Sequence, residues 1–207
     1  MTKMESTHQR ILWRGLEIVS ERGLGGVSLG GLADRAGMSK SGLFAHFRSK
    51  EELQVELLGA AEAALKREVV DPIVEVPEGL PKLRALVGRW LGWAARSGLP
   101  GGCPLYAAAF ELDDAEEGPV RDFLMQSKGK WSRMLEGLVR RAVELGHLGE
   151  DLDAVQFVWQ LEGIYLSHHV SQRLMRDPEV DARALAAFDG LVASSLSGQT
   201  PRPEPGS

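Results

Sequence analysis

Apolar residues along this 207-residue chain recur at helical spacing, and no stretch joins β-branched residues to strict alternation, which predicts an all-α protein without strands. Ile11, Leu12, Gly15, Leu16 and Val19 share one stripe, giving a first helix over about residues 5 to 22 with Gly23 as its left-handed C-cap. Ser28 can cap a second helix of about two turns that must stop at Gly37, and Ser39 a third, equally short, through about Phe47. Ser49 and Glu52 have the S-x-x-E spacing of a capping box for a fourth helix, which runs until Asp71-Pro72 breaks it. Beyond "DPIVEVPEG" the pattern predicts helices near 80 to 97, 104 to 112, 119 to 145, 152 to 175 and 180 to 196, about nine in all. The expected organisation is an N-terminal helix-turn-helix head (1 to 50), a C-terminal helical bundle (51 to 196) and a Pro/Gly-rich, disordered tail (197 to 207).

The second and third helices are too short to be stable alone and need a shared core. Leu29, Leu32, Ala33 and Ala36 with Leu43 and Phe47 can supply it against Leu12, Leu16 and Val19. Two short helices joined by a tight turn at Gly37 form a helix-turn-helix, whose second helix enters the DNA major groove. In "SKSGLFAHFRSKEEL" Ser39-Lys40 and Ser49-Lys50 each stand at a helix N-terminus, where free backbone N–H groups favour an anion, so both pairs are candidate phosphate clamps. Between them the third helix offers Ser41, Gly42 and Ala45 outward, small enough to let the backbone approach base edges.

Charge distribution agrees with that division of labour. The net charge is −5, yet residues 1 to 50 carry eight Lys and Arg against four Asp and Glu, leaving a basic head of +4 and an acidic remainder of −9. No run approaches a membrane span, and "MTKMESTHQR" lacks the apolar segment of a signal peptide, so the expected location is the cytoplasm. Cys103 stands alone and cannot form an internal disulfide.

From Arg10 to Leu58 the sequence resembles the DNA-binding domain of the TetR family of transcriptional regulators, most specifically in "ADRAGMSKSGLFAHF" and "SKEEL". The resemblance implies a nine-helix homodimer whose N-terminal helices bind operator DNA and whose C-terminal bundle dimerises and holds an inducer. It places Ser28, Ser39, Lys40, His46 and Lys50 at phosphate-contacting positions and Ser41, Gly42 and Ala45 at base-facing ones. Two departures stand out. Gly30 and Gly31 replace a charged pair frequent in relatives, at a helix-propensity cost of up to about 1 kcal/mol each. Phe44 stands where a tyrosine is frequent and can pack on the sugar-phosphate backbone without donating to it.

In the bundle, the segment 152 to 175 carries one stripe of Val155, Trp159, Leu166 and Val170 and another through Phe157, Leu161, Ile164 and His168. A helix apolar on two sides must be covered on two sides. Together with Leu185, Phe188, Leu191 and Val192 of the last helix, the first stripe is the candidate dimer interface. Trp90, Trp93, Cys103, Phe110, Trp131, Phe157, Tyr165 and His168 are the candidate lining of an effector pocket, although aromatics at this spacing also fit plain core. Adjacent His168 and His169 project about 100° apart and share one ion poorly, so no metal or cofactor is expected.

No P-loop, nucleophile elbow, zinc signature or Rossmann fingerprint occurs, which argues against an enzyme. The expected function is a ligand-responsive regulator, a repressor that binds a palindromic operator as a homodimer and is released by a small, largely apolar effector. A protein-interaction module with a vestigial helix-turn-helix and a redox-sensing regulator acting through Cys103 remain alternatives.

Overall fold

A computed structural model describes residues 3 to 196, and among them every regular element is helical. The expected tail, 197 to 207, lies outside the described residues. Ten α-helices occur in chain order: α1 (Lys3–Arg22), α2 (Leu29–Ala36), α3 (Lys40–Phe44), α4 (Lys50–Leu65), α5 (Leu80–Trp90), α6 (Trp93–Arg96), α7 (Pro104–Glu111), α8 (Pro119–Glu144), α9 (Ala154–Val170) and α10 (Val180–Leu196). The expected helix over 80 to 97 is two helices, because the chain turns extended at Leu91 and left-handed at Gly92 (φ 67°). Wider π turns, Lys66–Val70 and Ser171–Met175, continue α4 and α9.

The chain divides into two compact units, Met1–Asp71 with Gly92–Gly129, and Pro72–Leu91 with Lys130–Ser207. In the first, Ile11, Leu16 and Val19 of α1 pack with Leu32, Ala33, Leu43 and Phe47, all at most 1% exposed, and Leu53 and Leu57 of α4 close the core. Each such buried side chain contributes about 1.5–3 kcal/mol, enough to hold helices that would be marginal in isolation. Leu12, Leu29 and Ala36, expected in this mini-core, are only half-buried, while Leu24 and Val27 of the α1–α2 connection are buried. The α1–α4 approach depends on Gly15, where a Cβ would lie 2.4 Å from a Leu57 methyl.

The α6–α7 connection belongs to the same unit. Gly101 N donates to Ser20 Oγ at 3.1 Å and Gly102 N to the Ser20 carbonyl at 3.0 Å, so the "PGGC" turn lies flat against the last turns of α1. Glu111, at the end of α7, accepts from Gly25 N at 2.9 Å and anchors the glycine-rich turn that leads into α2.

The second unit packs α5, the later turns of α8, α9 and α10 around Leu83, Leu86, Val87, Leu135, Val139, Phe157, Leu161 and Phe188. An Arg84–Asp189 ion pair joins α5 to α10 at the surface. His147 Nδ1 accepts from Leu80 N at 3.2 Å and so caps the start of α5.

Candidate nucleic-acid interface and effector-binding residues

The short helices of the head begin at serine caps. Ser28 is extended (φ −115°, ψ 147°) and its Oγ accepts from Gly31 N at 3.1 Å; Ser39 does the same for Gly42 N at 3.1 Å, and Ser49 for Glu52 N at 3.0 Å. Glu52 does not complete the expected box, since its carboxylate accepts from Arg48 N, one residue before the cap. The turn between α2 and α3 is a left-handed Gly37 (φ 65°) whose N–H, with that of Met38, returns to the α2 carbonyls.

This framework leaves one flank of α3 outward. Ser41 and Ala45 are exposed, Phe44 is 54% exposed, Gly42 is half-buried over the Ser39 cap, and Leu43 turns the opposite way into the core. Lys40 and Lys50, at the first positions of α3 and α4, are both exposed. The Lys40 stem passes beside the start of α2, where a Cβ on Gly30 would stand 3.3 Å from its Cε. Gly30, a departure from the family pattern, thus makes room for a basic side chain. His46 is half-buried instead, with its ring 5.6 Å from that of His8, which itself pairs with Glu56 at 2.5 Å.

Four of the expected effector residues form one aromatic cluster in the second unit. Trp90 stacks on Tyr165 with ring centroids 4.1 Å apart and planes 9° from parallel, Trp131 tilts against Trp90 at 5.1 Å, and Tyr165 faces His168 at 6.3 Å. His168, 3% exposed, is held at 2.6 Å from Asp181 Oδ1 across the α9–α10 contact. Burial lowers the neighbouring His169 from its ordinary value of 6.5, helped by the positive field of Arg173 and then by His168. Phe157 is buried in the core of this unit. Trp93 and Cys103 are buried in the first unit, where Phe110 is 50% exposed with its ring 6.4 Å from that of Tyr106.

The expected interface residues separate. Val155, Trp159, Leu166, Val170 and Leu185 are 37 to 70% exposed, and of these Trp159 also lines a groove of about 490 Å³ between α9 and α10, together with Gly163, Ala184 and Ala187. Phe188, Leu191 and Val192 are at most 9% exposed within a single chain. Their apolar area is already spent on packing against neighbouring helices, which removes them from an outward face.

Two family models match this arrangement: one described as bacterial regulatory proteins, tetR family, over residues 11 to 57, and one described as the tetracyclin repressor-like C-terminal domain over residues 79 to 188. The chain belongs to the TetR family. Solved structures agree in fold. A TetR transcriptional regulator from Chloroflexus aurantiacus superposes with a TM-score of 0.82 at 20% identity, covering 96% of this chain and 98% of its own. A TetR-family regulator from Cytophaga hutchinsonii gives 0.81 at 16%, covering 96% and 99%. AibR, solved with isovaleryl coenzyme A and operator DNA, gives 0.67 at 19%, covering 92% and 98%. No curated protein matches the sequence.

As a TetR-family member this is a DNA-binding transcriptional regulator with a helix-turn-helix, and no described helix is long and apolar enough to cross a membrane. Among the described residues no group of His, Cys, Asp and Glu is placed to hold a metal ion. Sequence reading missed the Ser20–Gly101–Gly102 seam, the Glu111 anchor and the His8–Glu56 pair, because each joins residues 48 or more positions apart and none carries a local signature.

Proposed function

We propose that this TetR-family regulator is a repressor that binds a palindromic operator as a homodimer through Ser28, Ser39, Lys40, Ser41, Gly42, Phe44, Ala45, His46 and Lys50. A small, largely apolar effector taken up near Trp90, Trp131, Tyr165 and His168 releases it. One observation carries the DNA part: the small, exposed flank of α3, Ser41 and Ala45, lies between two serine-capped N-termini that each bear an exposed lysine. The dimer is supported by the exposed apolar residues Val155, Trp159, Leu166 and Val170 of α9 and Leu185 of α10, since apolar faces of this kind mark association surfaces. AibR, solved in complex with isovaleryl coenzyme A and operator DNA, supports a reading in which this fold serves both a small molecule and operator DNA. Burial of Cys103 to 3% weighs against redox sensing, because a thiol out of contact with solvent meets oxidant slowly.

The test is selection of genomic fragments by the full-length chain, with the mass of the free protein measured in parallel. The expected result is one enriched motif with two-fold symmetry, its half-sites about 34–36 Å apart or a multiple of that, bound by a species of twice the chain mass. Recovery of no motif would return the head to a vestigial role. An asymmetric single half-site bound by a monomer would refute the dimer.

A further inference from the structure

Phe44, on the outward flank of α3, is 54% exposed, an apolar ring left in water by a helix that buries Leu43 next to it. Ala45 beside it is exposed as well. The polar groups of the same segment are turned elsewhere. Ser41 Oγ lies 3.1 Å from Ser39 Oγ, which already accepts from Gly42 N. The Lys40 stem and ammonium lie against the start of α2, 3.3 and 3.6 Å from where a Cβ on Gly30 would stand. The half-buried His46 ring packs 5.6 Å from that of His8 and 6.2 Å from that of Phe47. Between Ser39 and Phe47 the sequence holds no Arg, Asn, Gln, Asp or Glu.

Each base edge in the major groove calls for its own partner: guanine for Arg or Lys, adenine for Asn or Gln, cytosine for a carboxylate, and the thymine C5-methyl for an apolar group. Of these partners the flank of α3 presents the last. Resting on the operator reading above, we infer that Phe44, with Ala45 beside it, is the specificity-determining contact of α3 and reads the C5-methyl groups of thymines in each half-site. Laying the ring against a methyl removes apolar surface of both from water. The same ring packed on the sugar-phosphate backbone would carry no base information, so the two placements differ in what they discriminate.

The test uses the full-length protein and the duplex that it selects from a random library. That duplex is synthesised with thymine in its half-sites and again with uracil, which keeps every Watson–Crick hydrogen bond and lacks only the C5-methyl. The expected result is a selected half-site that contains thymine, and an affinity lowered by uracil about fourfold for each contacted methyl. Phe44→Ala should weaken binding to the thymine duplex and bring the thymine-to-uracil affinity ratio toward one, a cycle that isolates the contact between ring and methyl. The wild-type comparison stands by itself if Phe44→Ala folds poorly. Equal wild-type affinity for the two duplexes overturns the inference, as does a selected half-site without thymine. So does an unchanged ratio in a folded Phe44→Ala, which would place the ring on the backbone instead. Failure of the operator reading looks different: no selected duplex outcompetes random DNA, and the thymine assignment falls with it.

Discussion

Lys40 and Lys50 stand at the end of a helix where a positive charge is electrostatically unwelcome. The N-terminal turn carries the positive end of the helix dipole, and a lysine there costs typically 0.3–1 kcal/mol, more fully felt at Lys50 because α4 runs 16 residues while α3 runs five. Neither ammonium makes an ion pair among the described residues, so truncation removes no intrachain ion pair. Lys50→Ala should therefore leave the free protein as stable as the wild type or up to about 1 kcal/mol more stable. Binding should move the opposite way. Each lysine that neutralises a phosphate contributes about 0.9 to the slope of log affinity against log salt, so each alanine variant should flatten that slope by up to about 0.9. Between 50 and 200 mM salt, one lost contact changes the relative affinity by about 3.5-fold and two by about twelvefold, with sequence preference kept because phosphates carry no base information. Fluorescence anisotropy with the selected operator over a salt series reads the slope, and urea denaturation of the free protein reads the stability. Slopes unchanged in both variants would remove the clamps. A clear loss of stability would show that the lysines serve the fold, and the argument from helix polarity would fail.

Three further outcomes follow from the packing of the chain. Gly101→Ala would place a methyl 1.7 Å from the Ser20 carbonyl oxygen and break both hydrogen bonds of the seam, so a destabilisation of about 3 kcal/mol or more is expected in denaturant titration; a loss below about 1 kcal/mol would mean that the loop lifts from α1 freely. His169 has a folded value below 6.5, so the unfolded chain binds the proton first: stability is full above pH 6.5 and falls as pH drops from 6.5 toward the folded value. His169→Gln should flatten the thermal midpoint over that window, and an unchanged profile would refute the assignment. Trp159→Glu, at a site 70% exposed in one chain, should halve the solution mass of the protein without lowering the secondary-structure content, whereas an unaltered mass would place the dimer face elsewhere.

The head was readable from sequence because its signals are local. Ser28, Gly37, Ser39 and Ser49 act within three residues of themselves, through caps and a left-handed turn, and a spacing rule captures them without knowledge of the rest of the chain. The break at Gly92 escaped because Trp90 and Trp93 keep helical spacing across it; periodicity records which residues are apolar and is blind to a kink that preserves the stripe. The split on α10 between outward and buried residues is hidden from sequence for a related reason. Leu185 and Phe188 lie three residues apart and look alike in pattern, yet one is 42% exposed and the other 1%, since the boundary between chain interior and outward face depends on where α5 and α9 pack.

The Trp131 donor marks a deeper limit. An indole N–H enters a hydrophobic pattern only as part of a large apolar ring, and whether it finds an acceptor depends on what the fold brings to it, which for Trp131 is no hydrogen-bond partner among the described residues. A pattern that counts tryptophans therefore cannot tell an indole whose N–H is paired from one whose N–H is not. Trp90 and Tyr165 complete each other by stacking, while Trp131, with the same apolar body, retains one directional requirement that the described residues leave unmet.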